Sequence, residues 1–171
     1  DISGYPAAKL NRRTQWSNSS SPTEVKNQIK PNVDLGIALN STISGGTINL
    51  DVNIKFVSNF SDLKLVVYVL EDGLIYNQVN ATSYFNGQNP IVNFEHNHVL
   101  RACLTDLVNG DALIGTNAGA IVTKNFTVPV PANIANVSNM SFVAFVMDAS
   151  GNAINVRGSE PNINQSFEIN P

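Results

Sequence analysis

A strict alternation of apolar and polar residues is the clearest pattern in this chain. Five apolar residues, Ile48, Leu50, Val52, Ile54 and Phe56, occupy every second position and are separated by polar residues. Successive side chains of a β-strand point to opposite faces, so this spacing predicts a strand with one buried and one exposed face. We therefore expect all five side chains to face the core.

Further strands are predicted along the chain, separated by short polar turns. A second alternating run starts at Val33 and leads to Gly45-Gly46, a pair typical of hairpin turns. The run 63–70 is apolar on both faces apart from Lys64, which indicates a central strand covered on both sides. Less regular patterns predict strands at 74–79, 92–104, 120–130, 140–147, 153–157 and 165–170, with a polar loop at 80–90.

Many short strands with polar turns indicate an all-β fold, namely an antiparallel β-sandwich of the immunoglobulin-like or jelly-roll type. A short strand and a helix are predicted ahead of it. Ser21 as the cap, Pro22 in the first turn and the early acid Glu24 favour a helix over 23–30, and Pro31 would end it.

The composition excludes several classes of function. Charged residues make up only 13% of the 171 residues, and 10 Lys and Arg against 13 Asp and Glu give a net charge of −3. No basic excess is present to neutralise phosphates, so nucleic-acid binding through a charged patch is not expected. No apolar run approaches the roughly 18 residues that a membrane-spanning helix needs. Low charge with abundant Asn, Ser and Thr favours an exported protein.

The cysteine content limits redox and metal chemistry. Cys103 is the single cysteine, which excludes an intramolecular disulfide, a C-x-x-C pair and a cysteine zinc cage. We interpret Cys103 as a small buried apolar residue and expect neither enzymatic activity nor a cofactor. The chain starts at Asp1 without a leader, so we expect a fragment whose export signal or lipid anchor lies outside this sequence.

His96 and His98 are the candidate metal ligands. They are the two histidines of the chain, and at positions i and i+2 of a strand they would face the same side. Glu71 or Asp72 would have to supply a third ligand. The alternative, which we favour, is that both imidazoles have a structural role and bond to neighbouring polar groups.

Arg101 follows in the same polar run, and an arginine near the core is expected to contact a carboxylate. Glu71 and Asp72 are the candidates, and an anion clamp is the functional alternative to a structural ion pair. We therefore expect a structural polar cluster of Glu71, Asp72, His96, His98 and Arg101.

Two further features leave binding open. The turns Asp148–Asn152 and Asn109–Asp111 are rich in oxygen ligands for calcium, but the same residues are typical of hairpin turns. The candidate members of an aromatic platform for a glycan are Tyr68, Tyr76, Tyr84 and Phe85, of which the adjacent pair Tyr84-Phe85 lies in the polar loop 80–90. We favour their packing beneath this loop over an exposed platform for a glycan.

Three stretches resemble one protein family: Gly4-Tyr5-Pro6 with Asn11-Arg12, VVYVLEDG at 66–73 with Gln78, and the run 95–101 (EHNHVLR). In this order they resemble the Omp-twenty-eight-related outer-membrane proteins of Bacteroidetes. The resemblance implies an exported lipoprotein in which a thioredoxin-like domain precedes an immunoglobulin-like sandwich. Residues 1–32 would then be the tail of a truncated thioredoxin-like domain with its linker, with Pro6 as its cis-proline, and residues 33–171 the sandwich.

The sequence thus predicts a non-catalytic β-sandwich module of an exported bacterial protein, in the outer membrane, at the cell surface or in the periplasm. Its role would be binding a protein or glycan at the cell surface, or acting as a spacer. Two alternatives stay open: a dedicated glycan- or metal-binding module, and an accessory part of a thioredoxin-like redox protein.

Overall fold

A computed structural model describes residues 7–16, 22–29 and 32–168. The strands in this part of the chain are β1 (Lys9–Leu10), β2 (Thr14–Gln15), β3 (Leu35–Ser44), β4 (Thr47–Phe56), β5 (Lys64–Glu71), β6 (Leu74–Gln78), β7 (Ile91–His96), β8 (Val99–Cys103), β9 (Asp111–Ala112), β10 (Ile121–Pro129), β11 (Met140–Met147) and β12 (Ala153–Ser159). Helix α1 (Thr23–Lys26) follows β2, and short 3-10 turns lie at Phe85–Gly87 and Val137–Asn139.

Strand β4 is the centre of sheet I, a three-stranded antiparallel sheet in which it lies between β10 and β3. Its pairing with β3 runs without a break from Leu35 opposite Phe56 to Ser44 opposite Thr47. The five alternating apolar residues of β4 are at most 1% exposed. The predicted register is confirmed, because a shift by one residue would have exposed all five.

Sheet II contains β12, β11, β5 and β8 in that order, and β9 pairs with the first residues of β5. β5 is therefore central, as its apolar run predicts. The two sheets pack against each other through one apolar core, whose members without exposed surface include Leu35, Leu39, Leu65, Val67, Val69, Phe142, Ala144 and Val146. The chain has the predicted all-β fold, an antiparallel β-sandwich.

The outer face of sheet II is also covered. Val66 and Phe145 belong to a second, smaller apolar cluster on this face. The loop after β8 approaches β5 so closely that a Cβ atom at Gly110 would lie 2.7 Å from the carbonyl oxygen of Leu65. The guanidinium of Arg12, between β1 and β2, lies 5.4 Å from the ring centroid of Phe145. This cation–π contact holds the β1–β2 hairpin against the sandwich.

The edge of sheet I at β3 is closed by residues 162–168, which we call the edge segment. Asn40 forms an antiparallel bridge with Asn164. The side chains of Asn162 and Gln165 accept hydrogen bonds from backbone N–H groups of β3. Backbone groups that an edge strand would leave open to another chain are thereby satisfied.

Two predicted elements differ in extent from the structure. The strand expected at 165–170 is wrong for the described residues, because the edge segment contacts β3 largely through side chains rather than a regular ladder. Within the described residues, the helix expected over 23–30 ends at Lys26, and its N-terminal flanking residue is Pro22, which makes no side-chain capping bond. Ser21, Pro31 and the Gly4–Pro6 motif lie outside the described residues. None of the described helices is long and apolar enough to cross a membrane.

Residues 92–104, expected as strand or extended chain, do not form one continuous strand. This stretch forms two strands, of which β8 pairs with β5 in sheet II and β7 pairs with β6 in a separate two-stranded sheet. The spacing of apolar residues does not reveal this break, because the segments on both sides of it are β-strands. Residues 74–96, which we call the arm, are therefore a hairpin separate from both sheets of the sandwich.

Replacing Ile54 by Ala should lower the free energy of unfolding by about 2–4 kcal/mol, because Ile54 has no exposed surface and its removal leaves a cavity between the sheets. Urea denaturation followed by circular dichroism measures the change. The matched control is Lys55→Ala, on the exposed side of the same strand, which should stay within about 0.5 kcal/mol of wild type. Equal effects of the two substitutions would contradict the register.

Candidate functional site

A buried carboxylate lies where the sandwich meets the arm. Glu71 is the last residue of β5, paired with Val99 of β8 and Met140 of β11, and it has no exposed surface. The Nε of Arg101 lies 3.0 Å from Glu71 Oε2, and the arginine side chain is 17% exposed. The N–H of this nitrogen is not aimed at the oxygen, so the contact is an ion pair rather than a directed hydrogen bond. The structure thus brings together two of the five residues of the expected polar cluster.

The other oxygen of Glu71 holds a loop in place. Its Oε1 accepts hydrogen bonds from the backbone N–H groups of Ala135 (2.8 Å) and Asn136 (2.6 Å). Both N–H groups belong to the loop between β10 and β11. One carboxylate therefore joins β5, β8 and this loop, and these contacts stabilise its charge in a buried position.

The next residues form the joint of the arm. The backbone N–H of His98 donates to Asp72 Oδ1, and the N–H of Gly73 donates to Asn97 Oδ1 at 2.7 Å. Gly73 and His98 both have a left-handed φ, at 71° and 56°. The two turns of the chain that link sandwich and arm are thus tied to each other by side-chain acceptors. Asp72 and His98 therefore have a structural role here, in which the side chain of Asp72 binds the backbone N–H of His98.

The expectation that His96 and His98 share one face of a strand is wrong. β7 ends at His96, and the left-handed backbone of His98 places that residue in the joint, where its side chain is 77% exposed. Its Nδ1 lies 3.8 Å from Asp72 Oδ1. The described residues contain no group of three or more His, Cys, Asp or Glu side chains that could hold a metal ion. Glu71, one suggested third ligand, is instead paired with Arg101.

His96 belongs to a row of aromatic rings along one face of the arm. Its ring makes an edge-to-face contact with Phe94 at a centroid distance of 5.0 Å, and Phe94 makes a similar contact with Phe85 at 6.0 Å. The ring of Tyr76 lies 6.4 Å from that of His96. Such contacts hold the rings of the row in fixed orientations. The sequence analysis considered Tyr76 for an aromatic platform but missed Phe94, which lies directly opposite Tyr76 on the paired strand β7.

Tyr84 and Phe85 do not pack beneath the loop, and this expectation is wrong. Tyr84 is 75% exposed and Phe85 is 59% exposed, and every residue from 81 to 90 is exposed. Asn80 organises the loop from within. Its Nδ2 donates to the carbonyl oxygens of Tyr84 (2.8 Å) and Gln88 (3.0 Å), while its Oδ1 accepts from the backbone and the hydroxyl of Thr82.

A polar residue, Asn80, therefore occupies the centre of the loop in place of the aromatic pair. Because Asn80 forms hydrogen bonds with the backbone of the loop from inside, Tyr84 and Phe85 are left on its surface.

Cys103 lies half-buried at the end of β8, with its Sγ 3.5 Å from Thr105 Oγ1.

The oxygen-rich turns use their carboxylates internally. Asp148 Oδ1 accepts from the backbone N–H groups of Ser150 and Asn152, and the side-chain amide of Asn152 contacts both carboxylate oxygens. The Asn152 amide and backbone N–H lower the pKa of Asp148. The backbone N–H groups of Asn109 and Val108 likewise lower the pKa of Asp106 in the other turn. Both carboxylates close turns, as the hairpin interpretation expects.

Removing Glu71 should destabilise the fold more than any change at an exposed acid. Glu71→Ala leaves Arg101 without its partner and frees two loop N–H groups, so we expect a loss of about 3–5 kcal/mol in the free energy of unfolding. Arg101→Met should also destabilise, and in the double variant the losses should not add, with a coupling of about 0.5–3 kcal/mol. Urea denaturation measures all three, and Glu160→Ala on the surface is the control. Additive losses would contradict a direct interaction.

Asp148→Asn should lower the melting temperature more at pH 7 than at pH 2.5. A carboxylate with a lowered pKa in the folded state stabilises above its ordinary value of 3.8, and this contribution is lost as the pH falls through the lowered pKa. Melting curves at both pH values measure the difference from wild type. Asn152→Ala, which removes the main partner, should show the same pH dependence. A difference from wild type that is equal at the two pH values would contradict the assignment.

Comparisons with known proteins agree with the resemblance in the sequence. The family model described as outer membrane protein Omp28 matches residues 1–165. The structure described as HBP35 of Porphyromonas gingivalis has a TM-score of 0.61 and 20% identity, covering 99% of this chain and 58% of that chain. This chain therefore spans a little over half of that structure. A comparison with curated proteins finds no match.

A second solved structure, a domain of the outer membrane lipoprotein Omp28 from the same organism, has a TM-score of 0.49 and 19% identity. It covers 78% of this chain and 93% of that chain. At 20% identity the likeness to the HBP35 structure concerns the fold alone, whereas the family model matches nearly the whole sequence. The chain therefore belongs to the Omp28 family of outer-membrane proteins, and it is an exported protein of the outer membrane, cell surface or periplasm.

Proposed function

We propose that this chain is a non-catalytic binding module and that the arm is its binding element, presented by an immunoglobulin-like sandwich. The observation that carries the proposal is the exposure of large apolar and aromatic side chains along the arm. Exposures are 52% for Ile75, 62% for Tyr76 and 73% for Val79, besides those of Tyr84 and Phe85. Large apolar side chains that a folded protein leaves exposed on one segment mark a candidate interaction site.

The construction of the arm supports binding rather than a spacer role. An isolated two-stranded hairpin is at best marginally stable in water, yet this one carries internal bonds at both ends. The joint ties Gly73 to Asn97, and Asn80 ties the loop at the tip. A loop already held in one conformation loses little entropy on binding, which favours affinity. A spacer would need neither the fixed loop nor the exposed rings.

The chemistry of the chain supports a role without catalysis. Disulfide exchange needs a second, resolving thiol, and Cys103 is the single cysteine of this sequence. His96 lies in the aromatic row, where its Nε2 is buried without a hydrogen-bond partner among the described residues, and His98 lies in the joint through its backbone N–H. The thioredoxin-like origin of residues 1–32, the boundary at 32/33 and the lipid anchor stay predictions.

Sedimentation with outer membranes of the source bacterium tests the proposal. We expect the fluorescently labelled chain to bind, and Tyr84→Ser/Phe85→Ser to bind about tenfold more weakly, since exposed aromatic anchors contribute most at such sites. Neither side chain is buried, so the melting temperature should not change.

The matched control is Leu107→Ser/Val108→Ser, an adjacent apolar pair on another loop with exposures of 51% and 67%. This variant should bind as wild type does. Wild-type chain that stays in the supernatant would overturn the proposed function. Equal losses in both double variants would show that the arm is not the binding element.

A further inference from the structure

The arm carries charge only at its base. Residues 73–94 contain no Asp, Glu, Lys or Arg, and the residues at 81–90 are all exposed. The nearest charged residues of the chain segment, Asp72 and Glu95, lie at the base of the arm. An uncharged surface cannot form an ion pair with a charged ligand. It also binds a neutral ligand without removing water from any charged side chain, which would cost free energy.

Amide side chains are frequent in the same stretch as the exposed rings. The stretch contains seven amides, Asn77, Gln78, Asn80, Asn86, Gln88, Asn89 and Asn93. An amide offers donors and an acceptor together, which matches a hydroxyl group that is itself both donor and acceptor. Within the described residues, the side chains of Asn86, Gln88 and Asn93 take no part in the hydrogen bonds that hold the arm.

The aromatic rings supply the complementary apolar contact. Tyr76, Tyr84 and Phe85 expose more than half of their surface. Ring faces carry negative charge density and attract the polarised C–H groups on the apolar face of a sugar ring. Exposed rings beside free amides therefore match the two kinds of surface that a neutral sugar presents, C–H faces and hydroxyl groups.

A lipid surface fits the arm less well. Hydrocarbon offers no hydrogen-bond partners, so inserting a loop that contains Asn86, Gln88 and Asn89 beside Phe85 would leave amides unpaired. The arm also has no Lys or Arg to contact lipid phosphates.

We propose that the ligand of the arm is a neutral glycan chain of the cell envelope, held by stacking on Tyr84 and Phe85 and by hydrogen bonds to the amides. This inference rests on the proposed function, because it names the ligand class of that same binding element.

Leucine variants separate ring stacking from general apolar contact. Tyr84→Leu/Phe85→Leu keeps apolar side chains of similar reach but removes both rings. In the sedimentation assay we expect this variant to bind outer membranes about tenfold more weakly than wild type, as the serine variant does. Tyr84→Phe keeps the ring and should retain binding. A leucine variant that binds like wild type would overturn the glycan inference, since a protein groove or a lipid surface accepts leucine.

Chemical treatment of the membranes before the sedimentation assay gives a second test of the ligand class. Periodate cleaves the vicinal diols of sugars, and we expect it to abolish binding of wild-type chain, while a mock-treated sample keeps it. Binding that survives periodate would overturn the glycan inference; loss after protease treatment would then identify a protein partner, and binding to protein-free phosphatidylethanolamine vesicles a lipid one. In both of these cases the proposed function stands. Absence of binding to untreated membranes would instead overturn the proposed function itself.

Discussion

The buried charge of Glu71 is the constraint on which the junction of sandwich and arm depends. A carboxylate without solvent contact must find compensation from all sides, and here an arginine from β8 and two N–H groups from the loop before β11 supply it. These partners are far apart in the sequence, so a single group fixes where three segments meet. The ladder of β5 with β8 reaches its last pair at this residue, opposite Val99.

Beyond Glu71, hydrogen bonds between residues of the joint determine the direction in which the arm leaves the sandwich. The left-handed residues Gly73 and His98 turn the two chains, and acceptors from Asp72 and Asn97 hold the turn. A Cβ at Gly73 would lie 3.1 Å from the Asn139 side chain, so space as well as φ favours glycine here. The result is an arm whose base is rigid while its sides stay open to solvent. The sandwich thus acts as a fixed base that orients an uncharged aromatic surface.

Sequence reasoning succeeded where burial repeats at a fixed period. The alternation in β4 specified its buried face, and the two-sided apolar run specified β5 as central, because both patterns follow from exposure to water alone. It failed where a single polar contact determines the local backbone conformation. The continuous strand over 92–104 breaks at His98, whose left-handed φ leaves no trace in hydrophobicity. The exposure of Tyr84 depends on Asn80, which forms a turn with Thr82. The composition of this stretch is the same as that of any polar loop, so it does not reveal the turn.

The edge segment has a consequence for how the molecule is completed during synthesis. Asn164 bridges Asn40, yet more than 120 residues separate them in the chain. β3 and β4 can pair as soon as both have left the ribosome, whereas the open side of β3 waits until every strand of the sandwich has been made. An uncovered edge is a template for another chain, and contacts of such sequence separation form late. Protection of this edge against aggregation is therefore acquired only after the described strands have been made, and a chain interrupted between Ser159 and Asn162 would have these strands but not this protection.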